Sequence, residues 1–280
     1  MKAEGASTDC SLQPLLKVES LVKLYVKRNL AGIREEVRAL DGVSFAIDAG
    51  TTLAVVGESG SGKSTLASCV ACLENPTSGS ICFAGRNIVA ISERHRRDVR
   101  PQIQLIFQDP ANSLNPRWSA LEILIEPLVL QGKLNRDGMK QRAYRLLDRV
   151  GLPSEIANRP PAELSGGQRQ RLAIARALTL EPKLLILDEA LSAIDCSIQA
   201  QIANLLMDLQ TSLKMTYLFI THDLSMAAHL ADEIAVMSHG RIVEHAPTEK
   251  VLREPESEIT RQLLKAMPKM IRPALPEMQR

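Results

Sequence analysis

No apolar run in this chain of 280 residues approaches the ~20 residues that cross a bilayer. The first segment, Met1 to Ser11, is polar and lacks the apolar stretch of a signal peptide. Such a chain is expected to stay in the cytosol and to meet a membrane only through partners. Net charge is nearly absent too, at +2. That argues against a protein built to coat nucleic acid. The densest basic stretch is Arg94, His95, Arg96, Arg97 and Arg100, which reads first as a solvated helix face. Cysteine is sparse: Cys10, Cys69, Cys72, Cys82 and Cys196. An odd, scattered set fits a reducing compartment rather than a disulfide framework. Cys69 and Cys72 form a C-x-x-C pair, but no second pair or nearby His completes a metal or redox site. They read as small buried apolar residues. There is no internal repeat, no heptad pattern and no second phosphate loop.

Short strands alternate with helices over most of the chain. Lys17–Val26 and Val43–Ile47 alternate apolar and polar residues, as strands with one wet face do. Arg28–Val37 is charged, contains Gly32, and reads as a loop. Thr52–Val56 is a continuous apolar run, the mark of a buried parallel strand. Lys63–Leu73 reads as a helix stopped by Asn75-Pro76. Strands follow at Ile81–Ala84 and Gln102–Phe107. Residues from about 117 to 180 read as helical, with Met139, Ala143, Leu146, Leu147 and Val150 on one face. Leu184–Leu187, Tyr217–Ile220 and Ile234–Met237 read as strands, Ser197–Leu213 and Leu224–Ala231 as helices. The alternation predicts an α/β fold with a mainly parallel sheet and an inserted helical subdomain.

Gly57-Glu-Ser-Gly-Ser-Gly62-Lys63-Ser64-Thr65 matches G-x-x-x-x-G-K-[ST], after a strand and before a helix, as that motif requires. Glycines let backbone N–H groups turn inward around phosphate oxygens, and a helix N-terminus adds partial positive charge. Gly57, Glu58, Ser59, Gly60, Ser61, Gly62, Lys63, Ser64 and Thr65 are therefore candidate nucleotide contacts. Lys63 reaches the outer phosphates and the Ser64 hydroxyl is a candidate Mg²⁺ ligand. Leu184-Leu-Ile-Leu187 delivers Asp188 to the same magnesium shell, and Glu189 follows as candidate general base. Leu164-Ser165-Gly166-Gly167-Gln168 precedes a helix, with Ser165 as N-cap. It is either a second anion site or a flexible helix start.

With that last segment the chain resembles the ATP-binding cassette (ABC) family, over about residues 15 to 268. The resemblance implies a P-loop NTPase (RecA-like) core with an antiparallel β subdomain and a helical subdomain at about 112–178. Residues 1–14 and 269–280 are then expected to be tails, the first flexible. Two cassettes pair head to tail in this family, so Ser165, Gly166, Gly167 and Gln168 would serve the nucleotide of the partner. Gln108 matches the glutamine that senses the γ-phosphate and joins the magnesium shell. His222 matches the switch histidine; outside the family it reads equally as an ordinary strand-end histidine. Ser192-Ala-Ile-Asp195 is similar to the loop that links the two sites. Tyr25 matches the aromatic that stacks on adenine, where a strand residue packing locally is the alternative.

Within the family the chain is similar to oligopeptide and dipeptide importer ATPases. The residues are Phe107-Gln-Asp-Pro-Ala-Asn-Ser-Leu-Asn-Pro116, Glu126-Pro127-Leu128, Asp195-Cys-Ser-Ile-Gln-Ala-Gln201, Gly240-Arg-Ile-Val-Glu244 and Thr260-Arg-Gln-Leu-Leu264. It departs from the usual pattern at Ala111, Ala190 and Pro161-Ala162, none of which removes a catalytic atom. The expected activity is ATP hydrolysis, with ATP and Mg²⁺, coupled to solute uptake. The expected partners are a second, related cassette, two permease subunits and an external solute-binding protein, with no nucleic acid. The expected place is the cytoplasmic face of the inner membrane. Nickel import by a member of the same group is the nearest alternative. A soluble ABC ATPase acting on nucleic acid or ribosomes, or another P-loop enzyme such as a small-molecule kinase, fits less of the sequence.

Overall fold

A computed structural model describes residues 13–28, 34–107, 113–132, 134–192 and 194–267. The strands in chain order are β1 Leu16–Arg28, β2 Arg34–Ile47, β3 Thr52–Val56, β4 Ser78–Phe83, β5 Arg86–Asn87, β6 Ile103–Ile106, β7 Leu184–Asp188, β8 Thr216–Thr221, β9 Glu233–Ser238 and β10 Arg241–Pro247. The helices are α1 Lys63–Val70, α2 Glu93–Val99, α3 Ala120–Gln131, α4 Arg136–Arg149, α5 Gly166–Leu178, α6 Cys196–Leu213, α7 Leu224–Leu230, α8 Thr248–Arg253 and α9 Glu258–Ala266.

The strands form two sheets. The central one has six strands in the order β10-β9-β3-β8-β7-β6. All its pairings are parallel except that of β10 with β9. The other has four antiparallel strands in the order β2-β1-β4-β5. Every residue of β3, β7 and β8 is buried, which explains their continuous apolar runs.

Because side chains alternate along a strand, the central sheet separates two cores. Ala54, Val56, Leu185, Leu187, Tyr217 and Phe219 point into one, shared with α3 to α7. Leu53, Val55, Leu184, Ile186, Leu218 and Ile220 point into the other, shared with α1 and the antiparallel sheet. Cys69 and Cys72 lie buried in this second core. Burial pushes the Cys69 thiol up to about 11. The structural reading of that pair therefore holds.

Three expectations need correction. Arg28–Val37 is not all loop: β1 runs to Arg28 and β2 begins at Arg34, paired to each other. Val26 and Val37 are both exposed there, so the ribbon is wet and its sequence carries no burial signal. The stretch from 117 to 180 is not continuously helical. α3, α4 and α5 are separated by loops and by two 3₁₀ turns, Ser154–Asn158 and Pro161–Glu163, each entered through a proline, Pro153 and Pro160. The helix read as Lys63–Leu73 ends at Val70. The basic stretch of α2 does form a solvated face: Arg94, His95 and Arg97 are exposed, while Arg96 and Arg100 pair with Glu93.

Candidate functional site

β3 leads directly into Gly57, and the loop that follows turns into α1. Gly57 admits no side chain, because a Cβ there would overlap the Met237 carbonyl of β9. Gly62 sits at φ +107° beneath the Ala39 carbonyl, a conformation and a space open only to glycine. The loop is tied down by Ser61 N–H to Glu58 O (3.2 Å) and by Gly240 N–H to Ser61 O (2.9 Å). α1 then starts with Leu66 N–H to Gly62 O at 2.9 Å. The first N–H groups of a helix have no intrahelical acceptor. Here no side chain caps them and no acid stands in the first turn. Glu58, Ser59 and Gly60 form the exposed rim.

Lys63 is only 4% exposed. Its ammonium donates to the carbonyls of Gly57 (2.8 Å) and Glu58 (2.9 Å), so the side chain folds back along its own loop. Burial pushes its pKa down, against the attraction of Glu189 and Asp188. β7 carries Asp188 to the same place, where the Ser64 hydroxyl donates to its Oδ1 at 3.2 Å. Burial pushes the Asp188 carboxyl up; the Ser64 bond opposes that, the Glu189 charge adds to it and Lys63 opposes it. A cation and an anion, both penalised by desolvation, are thus held ready for a ligand carrying both charges. The Ser61 hydroxyl is buried and has no partner among the described residues. Uncapped N–H groups, a buried ammonium and an orphaned hydroxyl around one loop fit a polyphosphate. The Ser64–Asp188 oxygen pair fits Mg²⁺, which favours hard oxygen ligands.

Glu189 adopts φ +47°, rare for a residue with a side chain. Its N–H donates to Ile220 O (2.9 Å), and its carbonyl accepts from Ser192 N–H (3.0 Å) and Ser192 Oγ (2.8 Å). These bonds hold the carboxylate at the end of β7, 3.7 Å from His222 Nδ1. His222 lies just past β8, and Asp223 behind it caps α7 through Ser225 N–H at 2.8 Å. Tyr25 reaches the same locus from β1, its phenol donating to Glu74 and lying near the Thr65 side chain.

Ser165, Gly166, Gly167 and Gln168 form the start of α5. Ser165 and Gln168 form a reciprocal capping box, with Ser165 N–H to Gln168 Oε1 at 2.9 Å and Gln168 N–H to Ser165 Oγ at 3.3 Å. Gly167 is needed for packing: a Cβ there would lie 2.7 Å from Ile198 Cγ2 of α6. Gly166 has open space on that side beyond Ile194. Gln108 and Ala111 lie outside the described residues, as does Ala193 of the linking loop. Two contributors escaped the sequence reading. Glu74 and Lys23 flank Tyr25, and the only hint was their charge beside a strand and a helix end.

The ABC transporter family model matches residues 40–192. The chain belongs to the ABC transporter ATP-binding family. This cassette is 45% identical over 258 residues to the dipeptide transport ATP-binding protein DppF of Haemophilus influenzae, across 92% of this chain and 79% of that one. It is 47% identical over 263 residues to the oligopeptide transport ATP-binding protein OppD of Mycobacterium tuberculosis, across 94% of this chain and 42% of that one. The ATP-binding cassette MJ0796, solved as a dimer bound to ADP and Pi, superposes with a TM-score of 0.74 at 30% identity, covering 83% of this chain and 98% of that one. The cassette is accordingly an ATP-binding ATPase with a P-loop α/β core and an antiparallel sheet. No helix among the described residues is long and apolar enough to cross a membrane.

Proposed function

We propose that this cassette hydrolyses ATP to drive the import of dipeptides or oligopeptides. The observation that carries the chemistry is the Ser64–Asp188 bond, which brings the phosphate loop and the acid-bearing strand to one point, with Glu189 next in the chain. The relatives named for dipeptide and oligopeptide transport support the cargo class.

In this reading the uncapped N–H groups of α1 and the Lys63 ammonium take the β- and γ-phosphates. Lys63 exchanges its two carbonyl acceptors for phosphate oxygens, a stronger, charge-assisted pairing. Ser64, Asp188 and Gln108 would hold Mg²⁺, which neutralises phosphate charge when bound. Glu189 accepts a proton from the water that attacks the γ-phosphate. His222 sits within reach of Glu189 and, more than half exposed, can turn to the γ-phosphate. Adenine stacks on Tyr25. Ser165, Gly166, Gly167 and Gln168 face the nucleotide of a second cassette. The partners are that second cassette, two permease subunits and an extracytoplasmic solute-binding protein, at the cytoplasmic face of the inner membrane.

Reconstitution of the cassette with its permeases and binding protein in liposomes tests the function. ATP-dependent uptake of labelled dipeptide or oligopeptide is the expected result. Uptake of nickel with no uptake of peptide would overturn the cargo assignment.

A further inference from the structure

Tyr25 does not stand free at the site. Its phenol donates to Glu74 Oε2 at 2.5 Å. The same carboxylate oxygen pairs with Lys23 Nζ at 3.1 Å. Lys23 Nζ also donates to the Asn75 carbonyl at 2.8 Å and lies 5.0 Å from the centroid of the Tyr25 ring. That is within the range in which an ammonium is attracted to an aromatic face. Lys23 and Tyr25 are two residues apart on β1, so their side chains leave the strand on the same side. Glu74 is not loosely placed either: its N–H donates to Ser68 O of α1 at 3.1 Å. One end of the ring is therefore fastened to the helix that begins at the phosphate loop, and one face is taken by a cation.

We propose that Glu74 and Lys23 are positioning residues for Tyr25, holding its ring so that a single face is presented to the purine base of the bound nucleotide. The inference rests on the reading of Tyr25 as the base-stacking residue. A phenol anchored at its hydroxyl loses its freedom to turn before the base arrives, so less ordering remains to be done on binding. A ring whose other face carries an ammonium accepts the base only on the open side. The clamp also sets the base at a constant distance from the phosphate loop, because both hang on α1.

Calorimetric titration of the full chain with ATP and with inorganic tripolyphosphate separates base from phosphate recognition. Glu74→Ala is expected to weaken ATP about fivefold, equivalent to the ~1 kcal/mol of one net hydrogen bond, and to leave tripolyphosphate unchanged. In a Tyr25→Phe background Glu74→Ala is expected to have a much smaller effect, since the phenol–carboxylate bond is already gone and only the Lys23 pairing is left to lose. Lys23→Met is expected to lower the ATP-to-tripolyphosphate preference in the same sense. An unchanged preference in Glu74→Ala, an equal loss for both ligands, or an undiminished effect in the Tyr25→Phe background would each overturn the proposal. Tyr25→Ala reads the underlying assignment: ATP should weaken by about tenfold or more, as loss of base stacking gives, with tripolyphosphate unaffected. No loss in Tyr25→Ala would overturn the stacking itself and the clamp with it. A loss there, without one in Glu74→Ala, would overturn the clamp alone.

Discussion

Glu189→Gln should separate chemistry from folding and from binding. The substitution keeps the shape of the side chain and the backbone bonds to Ile220 and Ser192 that hold φ at +47°. What it removes is the basic oxygen and one negative charge. The only partner in salt-bridge range of its carboxylate among the described residues is His222, which is 58% exposed at the side chain and 3.7 Å away. A pair so open contributes under about 1 kcal/mol, so melting should change little. The removed charge lies near both Asp188 and the incoming phosphates, so ATP affinity should hold or rise. Loss of a general base costs about a hundred- to ten-thousandfold in rate. That is about 2.7 to 5.5 kcal/mol of barrier. The assay is γ-phosphate release in the assembled transporter, with ATP affinity measured by calorimetry on the same variant. Release within about threefold of the unmodified protein, well short of that range, would refute the assignment of Glu189 as base. A parallel loss of affinity would show that the residue acts in binding.

Two further perturbations test the surrounding electrostatics. Lys63→Ala should weaken ATP by on the order of 30- to 100-fold, the scale of hydrogen bonds to a charged group, as read by calorimetry. Because burial lowers the Lys63 pKa from 10.5, folding pays a penalty below the lowered value that fades as pH approaches 10.5. The unmodified protein should therefore gain stability relative to Lys63→Ala across that alkaline window, while its ATP affinity falls. Glu244, 7% exposed, works in the opposite sense. Burial raises its pKa, but bonds from Thr260 Oγ1 and from the Glu256 and Ser257 N–H groups outweigh burial and lower it below 4.5. Its contribution is complete above 4.5 and is lost as pH falls through the lowered value. Glu244→Gln should flatten that acid limb, and hydrogen exchange should show α9 loosening first.

The phosphate loop and the strand at Leu184–Asp188 were legible because each lies in a chemically restrictive context. A strand buried on both faces must be apolar throughout, and a chain wrapping phosphate must have glycine and a cation at set intervals. The structure joins the two motifs through the Ser64–Asp188 bond. What did not come out depends on contacts between distant segments. Glu74 meets Tyr25 across 49 residues of sequence, and neither residue type announces the other. Gly57 is glycine because of a carbonyl on β9, some 180 positions later, a packing reason invisible in the phosphate-binding pattern. Gly167 is likewise explained by Ile198. β10 and the part of β2 before Val43 were missed for another reason. Glu36, Val37 and Arg38 of β2 and most of β10 face water or are only half-buried, so their pairing leaves little burial pattern in the sequence.

In the proposed assembly one nucleotide is shared between the loop Gly57–Thr65 of one cassette and Ser165–Gln168 of another. Sedimentation of the Glu189→Gln protein, alone and with the related cassette, tests it most directly. An ATP-dependent dimer is expected. Adding Ser165→Arg should abolish that dimer while calorimetry still detects ATP bound to each monomer. A dimer that survives Ser165→Arg, or monomers throughout with ATP bound, would contradict the claim.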